Sequence, residues 1–329
     1  MTNRPGLGEF EIIARYFRPL AFGKPGALNL SDDAALLDPS PGQTLVATTD
    51  TMIAGVHYLQ DDPPDLIGRK LLRVNLSDLA AMGAAPLTYL LAISLPENFE
   101  ERWLARFCEG LRADQERFGV YLCGGDTTAI PGPAVLTVTA LGEVPRGQAL
   151  LRSGAKAGDV VYVSGTIGDG ALGLQVARGR LGDLERELGD FLLSRYRAPE
   201  PRIGLGIELR GLAHAAIDIS DGLVADLGHI CETSRMAAEI EWQKIPLSEA
   251  ARKAIATEPR LRSAVLGGGD DFELAFTGPA ESRDAIAAAG KACGVAVTAI
   301  GRIVAGAGVS VVDSGGAPIE IDSAGYTHF

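Results

Sequence analysis

The stretch that most restricts the fold runs from Asp62 to Pro86. Asp62-Pro63-Pro64 opens a helical pattern, with Asp62 as the expected N-cap and proline just inside the start. Leu66, Ile67, Leu71, Leu72, Leu76 and Leu79 then recur at helical spacing and mark an apolar face. Gly83 and Pro86 supply the stop. The last turns carry Asn75-Leu-Ser-Asp78, whose two polar ends are three residues apart and project from one side. A carboxylate there faces the negative end of the helix dipole. Either water screens Asp78 or a cation compensates it, and by burial preference alone the solvated carboxylate is the ordinary case.

Around this helix, strand and helix patterns alternate. Residues 8–20 read as a short amphipathic helix ended by Pro19, and residues 44–50 as a β-branched strand. Residues 87–95 form a buried strand and residues 100–118 a helix. Residues 120–123 are a strand delivering Gly124-Gly125-Asp126-Thr127-Thr128, and residues 134–143 complete this half. Pro145-Arg-Gly-Gln148 is the expected domain join. Beyond it come a strand at 160–164, a glycine-rich turn and helix, and a charged helix near 183–196. A strand-to-helix passage follows at 215–229, then a strand at 272–277, a helix and two short strands. The expectation is a two-domain α/β fold, and 329 residues suffice for two cores.

With 47% hydrophobic and 22% charged residues, and no apolar run near the ~20 residues of a membrane span, the chain reads as soluble and globular. The first six residues contain no signal-peptide core, and Cys108, Cys123, Cys231 and Cys293 stand alone without metal-site spacing. They are expected to be reduced thiols of a cytoplasmic protein. The net charge of −12 would repel nucleic acid. It would also repel an anionic substrate unless metal ions bridged the two.

One device repeats: an apolar segment ending in carboxylates beside Gly, Ser or Thr. It occurs at Asp32/Asp33, Asp50, Asp78, Asp126, Asp218/Asp221 and Asp270/Asp271. Each alone is an ordinary turn residue or N-cap, as Ser220 and Asp221 illustrate. Together they suit Mg²⁺, a hard cation held by a few carboxylates and substrate phosphates. Gly168-Asp-Gly170-Ala-Leu-Gly173 also matches a dinucleotide-binding fingerprint. Asp169, however, places negative charge where a pyrophosphate would sit, so a tight turn with close helix packing is the better account. There is no P-loop motif, no protein-kinase motif and no GxSxG. His214 and His229 read as packing or surface residues, while His57 and His328 lie near acidic loops.

The motifs taken together resemble the thiamine-monophosphate kinase family. They are Gly8-Glu-Phe, Asp32-Asp33-Ala-Ala, Thr48-Thr49-Asp50, Asn75-Leu-Ser-Asp78-Leu-Ala-Ala-Met-Gly-Ala, Gly124-Gly125-Asp126-Thr-Thr, Leu151-Arg152-Ser-Gly-Ala, Asp218-Ile-Ser220-Asp221-Gly-Leu and the closing Gly325-Tyr326-Thr-His-Phe. The family belongs to the group that includes aminoimidazole ribonucleotide synthetase and selenophosphate synthetase. The resemblance implies two α/β domains. The first, 1–147, binds ATP and Mg²⁺ and forms a homodimer. The second, 148–329, completes the nucleotide and substrate sites. The implied reaction is Mg²⁺-assisted transfer of phosphate from ATP to thiamine monophosphate, giving thiamine diphosphate.

Carried over residue by residue, Asp33, Thr48, Thr49, Asp50, Asp78, Asp126, Asp218 and Asp221 resemble the family's magnesium ligands. Gly125, Asp126, Arg152 and Ser220 resemble its ATP contacts, and His57, Asp270 and Tyr326 its substrate contacts. Asp50, Asp78, Asp126 and Arg152 are the expected catalytic set. The family has Gly-Gly-Glu-Asp-Tyr-Glu where this chain has Gly268-Gly-Asp270-Asp271-Phe-Glu273, so Asp270 is one methylene shorter than the substrate-side Glu. The rivals are another ATP-dependent enzyme of the group and a non-catalytic nucleotide- or metal-binding homologue. Selenophosphate synthesis would want a cysteine in a glycine-rich N-terminal segment, and the first here is Cys108.

Overall fold

The computed structural model describes residues 8–321 and 325–326. The first seven residues and Thr327-His328-Phe329, which close the last motif, lie outside these. Two compact units divide the chain. One runs to Leu79 and resumes over Pro86–Glu143; the other takes Ala80–Ala85 and the chain from Val144.

The first unit opens with a helical run that changes pitch. It comprises α1 (Glu9–Ile12), a π-type turn at Ile13–Phe17 and a 3-10 turn at Arg18–Ala21. Pro19 does not end the run. It sits near the start of the 3-10 turn, where its missing N–H costs no helical bond. Then come β1 (Gln43–Ile53), α2 (Pro64–Ala81), β2 (Ala85–Pro96), α3 (Glu101–Phe118), β3 (Leu122–Ile130) and β4 (Val135–Pro145). The four strands form a mixed sheet in the order β1-β4-β2-β3. β2 and β3 are parallel. β1 and β4 run in opposite senses, since Thr49 meets Thr139 and Thr51 meets Thr137.

The first helical bonds of α2 run to the carbonyl of Pro63, so Pro63 occupies the N-cap position. Asp62, the expected cap, lies one residue earlier and accepts the Leu59 N–H at 2.9 Å. Ile67, Leu71, Leu72, Leu76 and Leu79 are buried as their spacing predicts, and Leu66 is half-buried. Polar Lys70, Arg73, Asn75 and Ser77 are buried too, so α2 is enclosed nearly all round over this stretch. α3 crosses it closely. A Cβ on Gly110 would lie 1.9 Å from the Asp65 carbonyl oxygen, and one on Gly68 would lie 2.4 Å from that of Phe107.

The second unit contains β5 (Val160–Ser164), α4 (Asp169–Ala177), α5 (Arg186–Arg197), α6 (Ile203–Glu208), β6 (Ala215–Asp218), α7 (Leu223–Ser234), β7 (Ala237–Glu241), α8 (Glu249–Thr257), α9 (Leu261–Gly267), β8 (Leu274–Gly278), α10 (Arg283–Ala292), β9 (Val297–Val304) and β10 (Gly308–Val312). Its six-stranded sheet has the order β10-β7-β9-β5-β8-β6. Only the β10–β7 pair is parallel. Alternate residues of each central strand enter different cores. Val161, Val163, Ile217 and Ala275 pack with residues of α4, α5, α7, α8 and α9. Tyr162, Ala216, Leu274 and Phe276 pack with residues of α6 and α10. Helices therefore cover both faces, as an α/β layering requires. Among the described residues no helix is long and apolar enough to cross a membrane.

Candidate active site

In the first unit the acidic positions are not all at strand ends. Asp50 and Asp126 lie within β1 and β3, which continue to Ile53 and Ile130. Pleating therefore decides where they point. Thr48 and Asp50 share the face of β1 that carries buried Met52. The Thr48 hydroxyl donates to Asp78 Oδ2 at 2.5 Å, joining β1 to the last turns of α2. Asn75 is wholly buried one turn earlier. Its side-chain carbonyl accepts the Asp50 N–H at 3.1 Å and its amide donates to the Leu71 carbonyl at 3.0 Å. Asn75 thus tethers the strand that carries Asp50 to the helix that carries Asp78. Thr48 and Asp78 are joined directly, and Asp50 lies on the same face of β1 as Thr48.

Thr49 lies on the opposite face. Its hydroxyl donates to the Val138 carbonyl at 3.0 Å and meets the Thr139 hydroxyl at 3.0 Å. Asp126 is placed differently again. It pairs in register with Ala92, and the neighbouring Ser94 and Thr128 hydroxyls, 2.8 Å apart, share its exposed face. β1 and β3 are opposite edges of the sheet, three strand spacings or about 14 Å apart. Asp126 therefore does not join Thr48, Asp50 and Asp78 within this sheet. Gly125 is required by close approach, because a Cβ there would lie 1.8 Å from the Leu91 carbonyl oxygen. Asp33 stands in an exposed bend after Asp32, whose carboxylate accepts its N–H at 3.0 Å. His57 is half-buried, and its Nδ1 accepts the Ile53 N–H at 3.0 Å, leaving the ring proton on Nε2.

In the second unit Asp218 ends β6 and is buried, and Ser220 and Asp221 follow in the turn into α7. The peptide N–H groups of Ser220, Asp221 and Gly222 all donate to Asp226 Oδ2, at 3.0, 3.0 and 3.1 Å. Asp226 drew no role from the sequence, although an acid in the first turn of a helix is a recognisable signal. Burial pushes its carboxyl up to about 7, against the pull of these donors. The segment 270–272 docks on the same turn: the Asp270 N–H donates to the Ser220 carbonyl at 2.9 Å, and the Phe272 N–H to that of Ile219 at 2.8 Å. Tyr326 is half-exposed, and its N–H donates to the Asp221 carbonyl at 3.1 Å. Arg152 is exposed.

The glycine fingerprint is a packing device. Asp271, fully buried, accepts the N–H groups of Gly168 and Gly170 at 2.6 and 2.9 Å. Those are donors a pyrophosphate would need, and the protein's own carboxylate holds them. Burial pushes the Asp271 carboxyl up to about 8. A Cβ on Gly170 would lie 2.2 Å from the Asp270 carbonyl oxygen, and one on Gly173 at the same distance from that of Leu192. Glu273, also fully buried, binds Arg202 and Arg195 and accepts the Ser164 hydroxyl at 2.6 Å. The thiols of Cys108, Cys123, Cys231 and Cys293 are all raised by burial, Cys108 to about 12, which makes them poor nucleophiles. His214 bonds Asp159 at 2.9 Å, a packing role, and His229 is exposed.

Hard oxygen donors dominate these groups, the chemistry Mg²⁺ prefers. Among the described residues, no three His, Cys, Asp or Glu side chains come together as a ready metal site.

Comparison with known proteins places both units in one class. The AIR synthase related N-terminal domain matches residues 31–144, and the AIR synthase related C-terminal domain matches residues 156–314. The thiamine-monophosphate kinase of Escherichia coli K12 is 44% identical over 98% of both chains. The crystal structure of thiamine-monophosphate kinase from Stenotrophomonas maltophilia K279a superposes with a TM-score of 0.83 at 44% identity, covering 93% of this chain and 96% of that one. The structure of AaThiL complexed with AMPPCP and TMP gives 0.77 at 31% identity, covering 100% and 99%. The chain belongs to the thiamine-monophosphate kinase family. The resemblance first read from its motifs is borne out over nearly the whole length.

Proposed function

We propose that the chain transfers the γ-phosphoryl group of ATP to the phosphate of thiamine monophosphate, yielding thiamine diphosphate and ADP. The observation that carries this is the full-length likeness to AaThiL, whose solved complex holds AMPPCP and TMP. A terminal oxygen of the thiamine phosphate forms a new bond to the γ-phosphorus. The bond to the β,γ-bridging oxygen breaks, and its electron pair leaves on ADP. The attacking oxygen is ionised at neutral pH, so no side chain need remove a proton. That accords with a chain whose acidic motifs outnumber its histidines.

The difficulty is juxtaposing two polyanions. Mg²⁺, when bound, supplies the positive charge between them. Asp33, Thr48, Thr49, Asp50, Asp78, Asp126, Asp218 and Asp221 would hold it, and the Thr48–Asp78 contact supports the first group. Gly125, Asp126, Ser220 and Arg152 serve ATP, with Arg152 a fixed charge for the transferring group. His57, through Nε2–H, together with Asp270 and Tyr326 serves the thiamine phosphate. The protein is cytoplasmic and acts as a homodimer. Supporting the dimer, the uncovered sheet face presents Leu45 and Ala47 on β1 and Leu90 and Ala92 on β2, with Asp126 next to Ala92.

Incubation with ATP, Mg²⁺ and thiamine monophosphate tests the reaction, and thiamine diphosphate formation at a rate comparable to an authentic kinase is expected. No product would refute it and favour a non-catalytic homologue. Asp270 adopts a left-handed conformation, φ 71°, that Asp tolerates better than Glu. Asp270→Glu is therefore expected to change KM for thiamine monophosphate while leaving that for ATP unaltered. An unchanged KM would show that position 270 does not reach the substrate.

A further inference from the structure

We propose that Asp226 is a positioning residue that couples the nucleotide and metal contacts of the second unit to its substrate contacts. The proposal rests on the phosphoryl-transfer reading given above. Asp226 touches no substrate in it; it acts through two peptide planes.

A trans peptide is rigid, so its N–H and the preceding C=O turn together. The plane joining Ser220 to Asp221 is held at both ends. Its N–H donates to Asp226 Oδ2, and its C=O accepts the Asp270 N–H. The plane joining Asp221 to Gly222 repeats the arrangement, with its N–H on Asp226 Oδ2 and its C=O accepting the Tyr326 N–H. One buried carboxylate oxygen thus fixes the orientation of two planes. Those planes carry Ser220 and Asp221 on one side and anchor Asp270 and Tyr326 on the other.

The surroundings leave the turn little room to settle elsewhere. Gly222 sits at φ 134°, and a Cβ there would lie 2.8 Å from the backbone of Gly267. A Cβ on Gly269 would lie 2.1 Å from the Ser220 carbonyl oxygen. Asp226 itself is 2% exposed and stands in the first turn of α7, where the helix dipole favours a carboxylate. Removing it strands three N–H donors, and the planes must rotate to find water, swinging their carbonyls away from Asp270 and Tyr326.

Steady-state kinetics on the full chain test this. Asp226→Ala is expected to raise KM for ATP and for thiamine monophosphate together, each by about tenfold or more, the scale of an unsatisfied buried donor. Asp226→Asn can present one carbonyl oxygen to the same three donors and is expected to restore both values to within about threefold. Hydrogen exchange adds a readout independent of turnover. Peptides spanning 219–223 should exchange faster in Asp226→Ala, with those of β5 and β8 unchanged. A purely structural role would lower Tm and the active fraction with both KM values intact. If Asp226→Ala does not fold, Asp226→Glu, which displaces the carboxylate by one methylene, is read by the same pair of constants. Wild type active, with a folded Ala or Glu variant shifting neither KM or only one, would overturn the proposal. An inactive wild type would instead overturn the functional reading beneath it.

Discussion

Asp50→Asn is expected to lower kcat for thiamine diphosphate formation by about two to four powers of ten while the protein stays folded. Charge stabilisation through metal contacts contributes several kcal/mol to a phosphoryl transfer, and each ~1.4 kcal/mol is tenfold in rate. The substitution keeps the side chain's size and removes its charge. The fold should survive because the tether at this position uses the backbone: the Asp50 N–H, not its carboxylate, is bound by Asn75. Thermal unfolding and initial rates on the same preparation check both halves. A near-wild-type rate would remove Asp50 from the metal-binding set, and a large fall in Tm would recast it as a structural residue.

Asp114→Ala is expected to destabilise the first unit by about 3–5 kcal/mol, a sizeable part of an ordinary domain's stability. Asp114 is 0% exposed and pairs through both oxygens with Arg73, at 2.5 and 2.9 Å, with Arg69 adding a third contact at 3.2 Å. Arg73, itself 2% exposed, would be left charged in the interior between α2 and α3. Replacing the pair together, as Arg73→Met with Asp114→Leu, should cost less than the single change because no buried charge is stranded. Urea midpoints separate the cases. A loss below about 1 kcal/mol for Asp114→Ala would mean that water reaches the pair in solution.

The elements with strong periodicity were legible from residues alone. The apolar face of α2, the strands at β2, β4 and β5 and the helix of α3 all lie where spacing puts them. Shorter pieces escaped. β7, α8 and α9 lack a long repeat, and Pro19 proved compatible with a 3-10 turn. The carboxylate motifs were visible as chemistry, but their aim was not. Asp50 and Asp126 looked alike in sequence because both follow apolar runs beside Gly or Thr. They point from different edges and faces of one sheet because strand order and pleat differ. The glycine fingerprint misleads for a related reason: its loop N–H groups face Asp271, about a hundred residues later in the chain.

Residue types and their order determined the family, the oxygen-rich chemistry and the α/β layering, since these depend on local pattern and on motifs that survive as strings. The tertiary structure alone decided which carboxylates share a face, that Asn75 is a buried tether, and that Asp226 governs the turn bearing Ser220 and Asp221. Those outcomes depend on hydrogen bonds and strand pairings between segments distant in the chain, or on which way a peptide plane faces. No local pattern of side chains encodes either.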